Sequence, residues 1–348
     1  MGGWNTDSGA SLHSELIGRP WVGDGHDLRV LTFYKDNFHG TQITGEDEDY
    51  VVRCFTTSVA DPPRLDPRPF LTNNYEVFVV EDLGMLPKDL LARIYHRIHK
   101  KAVSVNIIHD GKLTEDPSFY QFDWDAIVCF DERYQRFLQS VYDREKIHII
   151  PYPCHEEMIF DKKLARQQLS LPIDRKIAFT FGPASFYTLK VVDDLFGFDD
   201  IMLLVVTRHK AALEGFYRIK SKYPILIREE APDMNLLYRY LCASDLLLFN
   251  KPSTDWVVVS STVFQCLGSG CPILAYASNF IETLSNEVFQ YHNQEEFIKR
   301  LKEILGGGDE YKKRREAALA YVRANSGMKI ARRYIKLFES LLRRRANA

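Results

Sequence analysis

The chain contains no apolar run approaching the ~18 residues that a membrane-spanning helix needs, and no apolar core of a secretory signal. It has no excess of one charge either. Lys plus Arg total 45 against 47 Asp plus Glu, a formal net charge of −2, which argues against a dedicated nucleic-acid binder. Its six cysteines (Cys54, Cys129, Cys154, Cys242, Cys266 and Cys271) are scattered, mostly within apolar stretches, and none form a CxxC pair. That pattern argues against a disulfide frame and a zinc site, and fits buried thiols in a reducing compartment. No internal repeat or low-complexity tract is present. The expectation is a cytoplasmic globular protein with no metal site and no nucleic-acid partner.

What the chain does have is a regular alternation of apolar runs and helical patterns. Its 348 residues, 45% hydrophobic and 26% charged, suggest about two domains with ample core. Strand-like runs recur at 28–33, 75–80, 103–108, 126–130 and 148–150, then at 177–181, 201–206, 226–228, 246–249, 272–275 and 287–291. Many are continuously apolar, as parallel strands covered on both faces require. Helical patterns such as 87–101 and 132–142 lie between them. The predicted architecture is α/β, with two doubly wound domains and a seam near Pro151-Tyr152-Pro153, where two prolines break regular structure. We assign residues 1–152 to an N-terminal domain, 153–328 to a C-terminal domain and 329–348 to a final helix. That helix, read as continuing through Ala348, carries an apolar stripe of Ile330, Tyr334, Leu337, Phe338, Leu341 and Leu342 that must pack on something. At the other end, Gly2 to Ala10 resembles the Gly-rich turn that follows a first strand, yet only Met1 precedes it. A truncated start is the expectation, because a missing central strand exposes apolar neighbours.

The stretch from Asp245 to Ser278 is the most informative. It reads as strand, polar loop, short helix opening at Ser260-Ser261-Thr262, a stop at Gly268-Ser269-Gly270, and a second strand. Hydroxyls and free amides at a helix start, just past the carboxyl end of a parallel strand, suit a phosphate. The same pattern also describes an ordinary capped helix.

Taken in order, these pieces resemble the retaining GT-B glycosyltransferases (glycosyl transferases group 1, family 4-like), over nearly the whole chain. Gly2-Gly3 with Ser14-Glu15-Leu16 and Gly25-His26-Asp27-Leu28-Arg29-Val30 resembles the family's opening. Val105-Asn106-Ile107-Ile108-His109-Asp110 resembles the strand that ends in a catalytic-region histidine. His148 to Pro153 resembles the interdomain junction, Leu171 to Lys176 with Phe181-Gly182 resembles the start of the donor domain, and Ala243-Ser244-Asp245 with Gly270-Cys271-Pro272-Ile273 follows. Two departures stand out. The family's two glutamates, eight residues apart, fall on Val257 and Gln265, and the arginine of its phosphate clamp is missing after Phe181-Gly182-Pro183. Glutamine keeps the hydrogen bonding of a glutamate but not its charge.

The resemblance implies two Rossmann-like domains facing each other, the last helix packing back toward the N-terminal domain, and transfer of a sugar from a nucleotide-sugar donor with retention. Neutralising the departing diphosphate falls to cations, amides and helix N-termini, so no cofactor is required. Lys190 and Arg208 are the candidate cations; each also reads as a solvated surface charge. Ser260, Ser261, Thr262 and Gln265 would hold the distal phosphate and ribose, and Ser8 and Gly9 would offer amides near the diphosphate. His109 and Lys190 are the candidate catalytic residues, His109 lining the sugar site and Lys190 on the phosphates. His13 lies nearby without a distinct signal.

The donor would be a UDP- or GDP-sugar, and the acceptor a glycan, lipid-linked or small molecule met by the long loop Asp61–Pro69. The basic helix Arg93–Lys101 and the tail Arg343–Arg345 fit either weak peripheral contact with anionic lipid or a plain solvated face. A catalytically silent relative acting as a binding partner and a nucleotide-sugar 2-epimerase are the competing functions. The first is favoured by the lost glutamates and the second disfavoured by the poor carboxylate inventory.

Overall fold

A computed structural model describes residues 1–35, 44–198 and 200–347; Ala348, taken above as the end of the tail helix, lies outside the described residues. The chain forms two compact units. The first comprises Met1–Pro153, Asp255–Ser261 and Gly327–Ala348, and the second Cys154–Thr254 and Thr262–Ser326.

The first unit runs α1 (Gly9–Gly23), β1 (Val30–Phe33), β2 (Val51–Phe55), α2 (Arg68–Thr72), β3 (Val77–Glu81), α3 (Lys88–Lys101), β4 (Val103–Ile107), β5 (Ala126–Cys129), α4 (Glu132–Leu138) and β6 (Ile147–Ile149). β1 pairs with β2, and β3-β4-β5-β6 form a second sheet, all in parallel. β4 and β5 are buried along their whole length; β5 is apolar throughout, whereas β4 buries Ser104 and Asn106 between its aliphatic residues. β2 was not legible in the sequence. Its first three residues are only half-buried and include Arg53, whose guanidinium pairs with Asp47 at 2.7 Å, so neither alternation nor a continuous apolar run marks it.

The second unit runs α5 (Lys162–Gln168), β7 (Lys176–Phe181), a 3-10 helix (Pro183–Val191), α6 (Val192–Leu195), β8 (Ile201–Val206), α7 (Lys210–Ile219), β9 (Ile225–Arg228), α8 (Met234–Ala243), β10 (Leu246–Phe249), α9 (Ser261–Cys266), β11 (Ile273–Tyr276), β12 (Phe289–Tyr291), α10 (Gln294–Gly306) and α11 (Asp309–Asn325). Its parallel sheet has the order β12-β11-β10-β7-β8-β9, so strand order reverses beside β7 in the doubly wound manner. Ala178, Leu203, Leu248 and Leu274 from the sheet pack with Phe216 and Phe297 from the helices to form the core.

The last helix, α12 (Gly327–Ala346), belongs to the first unit. It buries Ile330, Tyr334, Phe338 and Leu341 of the apolar stripe, while Leu337 and Leu342 are half-buried. Its partner is α1: Trp21 Nε1 donates to the Ala331 carbonyl at 2.9 Å, and Arg332 pairs with Asp24 at 2.8 Å. At its far end Arg345 donates to the carbonyls of His99, Lys100 and Ala102, satisfying the last turn of α3.

One carboxylate fastens the start of the second unit's sheet. Asp245, just before β10, accepts from the Ile177 amide of β7 and from Arg166 of α5, each at 2.7 Å, and from Lys162 at 2.8 Å. The Arg166 side chain is only 5% exposed, so it depends on that partner. Replacing Asp245 by Ala leaves a buried cation uncompensated, and urea denaturation should show a loss of about 3 kcal/mol.

Candidate functional site

Three elements bring ionisable side chains together in the first unit. β3 ends in Glu81, the loop after β4 supplies His109, and α1 supplies His13. Glu81 stands between the two imidazoles. His13 Nδ1 lies 2.9 Å from Glu81 Oε1, and His109 Nε2 lies 2.8 Å from Glu81 Oε2. His13 is fully buried and Glu81 nearly so, whereas the His109 side chain keeps 13% of its surface. Phe130 packs against both rings, with centroids 5.3 Å from His13 and 5.1 Å from His109. Tyr152 lies 5.3 Å from His13, and the Tyr334 hydroxyl of α12 reaches to 3.4 Å from His13 Nε2.

Burial and charge act against each other here. Burial acts to raise the Glu81 pKa, but the charge and hydrogen bonds of the two histidines outweigh it and hold the value at about 2. Burial lowers the His13 pKa, and the neighbouring His109 pushes it the same way. Burial also opposes a charge on His109, yet the hydrogen bond and charge of Glu81 raise its pKa. Glu81 thus stays a carboxylate, while the two imidazoles are pushed in opposite directions, His109 toward the charged form and His13 toward the neutral one. Among the described residues no hydrogen bond is made by His109 Nδ1, and the ring is partly exposed. The three donor atoms lie within 4.8 Å of one another, close enough to hold a divalent cation, though hydrogen bonds among themselves already satisfy them.

Two carboxylates flank this cluster. Asp82 has a left-handed backbone (φ 56°), and burial raises its pKa to about 6. Burial raises Asp110 as well. Both carboxyl groups face Gly84, where a Cβ would come within 3.4 Å of Asp82 and 3.1 Å of Asp110. Perturbed acids at strand ends, one on a strained backbone, mark a working surface more often than a packing one.

α1 opens beside the cluster. Ser8 is its N-cap, its Oγ accepting from the Ser11 amide at 3.1 Å, and the Gly9 carbonyl accepts from Tyr152 at 2.8 Å. Ser261 stands against Gly9, where a Cβ would approach its Oγ to 3.2 Å. The segment holding Ser260 and Ser261 is fixed by Val257, whose amide donates to the Gly111 carbonyl at 2.9 Å, and by Arg133, which donates to the Val258 carbonyl at 3.0 Å. Gly111 must be glycine, since a Cβ would run into the Val257 oxygen.

The remaining sequence-predicted residues fall as follows. The helix predicted from Ser260 starts at Ser261 and lasts six residues before a 3-10 turn, with Ser260 buried ahead of it and Thr262 and Gln265 half-buried. Lys190 is exposed at the end of the 3-10 helix and Arg208 is exposed after β8; neither makes a hydrogen bond or ion pair among the described residues. The neighbouring His209 caps α7 through its ring nitrogen.

Sequence reasoning missed Glu81, Asp82 and Lys251. Glu81 and Asp82 directly follow an apolar run, the same strand-end position that singled out His109. Lys251, two residues past β10, is half-buried over the Phe280 ring at 4.1 Å, and burial lowers its pKa. On α3 the basic residues Arg93, Arg97, Lys100 and Lys101 are exposed, while the interleaved Tyr95 packs inward on Phe122 and Trp124. No described helix is long and apolar enough to cross a membrane.

No family model matches the sequence. Solved structures do. A sucrose-phosphate synthase from Thermosynechococcus elongatus superposes with TM-score 0.67 at 14% identity, over 96% of this chain and 94% of that one. AviGT4, a glycosyltransferase of avilamycin A biosynthesis, gives 0.59 at 14% identity over 97% and 91%. A UDP-forming α,α-trehalose-phosphate synthase from Burkholderia vietnamiensis gives 0.55 at 11% over 74% and 72%. The chain has the GT-B fold. Its parallel sheets, β1-β2 and β3-β4-β5-β6 in the first unit and the six-stranded sheet in the second, fit that architecture. At the paired-glutamate positions this GT-B chain places Val257, which anchors to Gly111, and Gln265, whose carbonyl accepts from Tyr238 at 2.6 Å.

Replacing Glu81 by Gln removes the charge between the histidines and should cost about 3 kcal/mol at neutral pH. Because the folded pKa of Glu81 lies below the usual 4.5, its contribution is present above that value and is lost as pH falls toward about 2. Urea midpoints measured from pH 7 to 2 should therefore drop for the native protein and drop less for the variant.

Proposed function

We propose that the protein is a glycosyltransferase that moves a sugar from a nucleotide-sugar donor, a UDP-sugar first among the candidates, to a hydroxyl acceptor with retention of configuration. The carrying observation is His109, bonded through Nε2 to Glu81 at the carboxyl edge of the sheet, with its pKa raised by that carboxylate and its ring partly exposed to a ligand. The GT-B fold supports the reading, as does the UDP-forming activity named for one structural neighbour.

In this reading His109 donates to a donor-sugar hydroxyl and places positive charge near the developing negative charge. Ser8, Gly9 and the N-terminal amides of α1 face the diphosphate, and Ser260, Ser261 and Thr262 hold the distal phosphate and ribose, with Gln265 as a neutral partner. Lys190, Arg208 and Lys251 are the cations available to the leaving group. Transfer proceeds on the front face: the glycosidic C–O bond to the diphosphate breaks as the acceptor oxygen bonds to the same face, and the departing phosphate oxygen takes the acceptor's proton. No carboxylate nucleophile is needed, so Val257 and Gln265 at the family's glutamate positions do not stop the reaction. Asp82 and Asp110 bind acceptor hydroxyls.

Thermal denaturation with UDP, GDP and ADP tests the donor. A ligand at 100 times its Kd should add about 2.7 kcal/mol, with the shift lost on replacing Ser261 and Thr262 by Ala. No shift with any nucleotide would instead favour a silent binding relative.

His109→Ala should lower kcat by about 100-fold with the fold retained. The reactive form carries protonated His109, so kcat/KM should decline as pH rises through its elevated pKa. Glu81→Gln should move that decline to lower pH, read in a pH–rate profile.

A further inference from the structure

β10 and β11 leave the second unit's sheet side by side, with Phe249 level with Ala275. Just beyond each strand the chain places a polar side chain, Lys251 after β10 and Ser278 after β11. Asn279 stitches the two exits together. Its amide donates to Ser253 Oγ at 3.3 Å, its Oδ1 accepts from the Thr254 amide at 3.1 Å, and its Nδ2 donates to the Thr254 carbonyl at 2.9 Å. Lys251 Nζ rests 4.1 Å from the ring centroid of the buried Phe280. The ammonium is half-buried and makes no hydrogen bond or ion pair among the described residues. Desolvation lowers its pKa, and no carboxylate pulls it back up. Ser278 is 7% exposed, and its Oγ has no hydrogen-bond partner among the described residues. A half-buried cation is normally paired and a buried hydroxyl normally bonded, so packing alone does not account for this corner. It also lies at the carboxyl edge of an open parallel sheet, where such folds take ligands.

We propose that Lys251 and Ser278 form an oxyanion-binding corner of the second unit, which takes one negatively charged group of the nucleotide-sugar donor: a phosphate of the diphosphate or the carboxylate of an acidic sugar. The lysine supplies the charge and the serine a hydroxyl donor, and an oxyanion offers acceptors to both. The Phe280 ring covers one side of the ammonium and holds its stem. An anion in this place offsets the cost of keeping Lys251 partly out of water, a charge that is otherwise uncompensated. Lys190 and Arg208 are exposed, so solvent screens them and they gain less from the same anion. Assigning the anion to the donor rests on the sugar-transfer reading; anion binding at the corner does not.

Calorimetric titration of the full chain compares the native protein with Lys251→Met, which keeps the apolar stem over Phe280 and removes the charge. Sodium pyrophosphate is the first probe. Its Kd should rise about tenfold in Lys251→Met and about fivefold in Ser278→Ala, with the fold of each variant checked by circular dichroism. UDP, UDP-glucose and UDP-glucuronate then identify the anion. A phosphate in the corner makes UDP lose the same factor in Lys251→Met. A sugar carboxylate makes the native protein prefer UDP-glucuronate to UDP-glucose by about tenfold, and Lys251→Met removes that preference while leaving UDP unchanged. Pyrophosphate binding that depends on Lys251, with no nucleotide bound by either protein, keeps the corner and overturns the sugar-transfer reading instead. No difference between the native protein and both variants with any of these probes overturns the proposal.

Discussion

One ion cluster organises the first unit. The Glu81 carboxylate has been taken out of water and given two imidazoles in place of its hydration. A buried carboxylate left unpaired would shift its pKa upward and take a proton. That it stays charged requires His13 from α1 and His109 from the loop after β4 to converge on it, and the surrounding packing follows. α1 must lie across the ends of β3 and β4, Phe130 and Tyr152 must wall off the rings, and α12 must bring Tyr334 to the far side of His13. The cost of burying one charge thus ties together α1, two strand ends and the last helix.

The same arrangement separates the roles of two chemically identical side chains. His13 is enclosed and its pKa is pushed down by burial, whereas His109 is partly exposed and its pKa is pulled up by Glu81. The difference comes from burial and from the order in which the rings meet Glu81, not from the residues themselves. Asp82 and Asp110 show the complementary case. With burial as the main influence and no such pairing, both are pushed toward the neutral acid. A strand edge that presents an imidazolium beside two easily protonated carboxyls can both stabilise an anion and bind hydroxyls. That combination is what the proposed sugar transfer rests on.

Strand runs, parallel pairing and the doubly wound order were legible because β5, β7, β8 and β10 are buried over most of their length and leave apolar signatures. His109 was legible for a related reason, since a polar residue ending such a run marks where the sheet meets solvent or a site. β2 was missed because its first half is only partly buried. Arg208 was chosen as a charge at a strand end and Lys190 as the cation nearest the incomplete phosphate clamp; both are exposed and without hydrogen-bond or ion-pair partners among the described residues. Lys251 went unnoticed since only the tertiary structure lays it on Phe280.

By itself the sequence determined the class of fold and the position of one histidine, since both depend on local periodicity and on where apolar runs stop. Only the tertiary structure decided that Glu81, 68 residues from His13 and 28 from His109, holds the pair together. Hydrophobic patterning is a property of neighbouring residues, so a sequence carries it openly. The charge state of a buried group depends on what other parts of the chain bring within hydrogen-bond distance, and that distance exists only in the folded molecule.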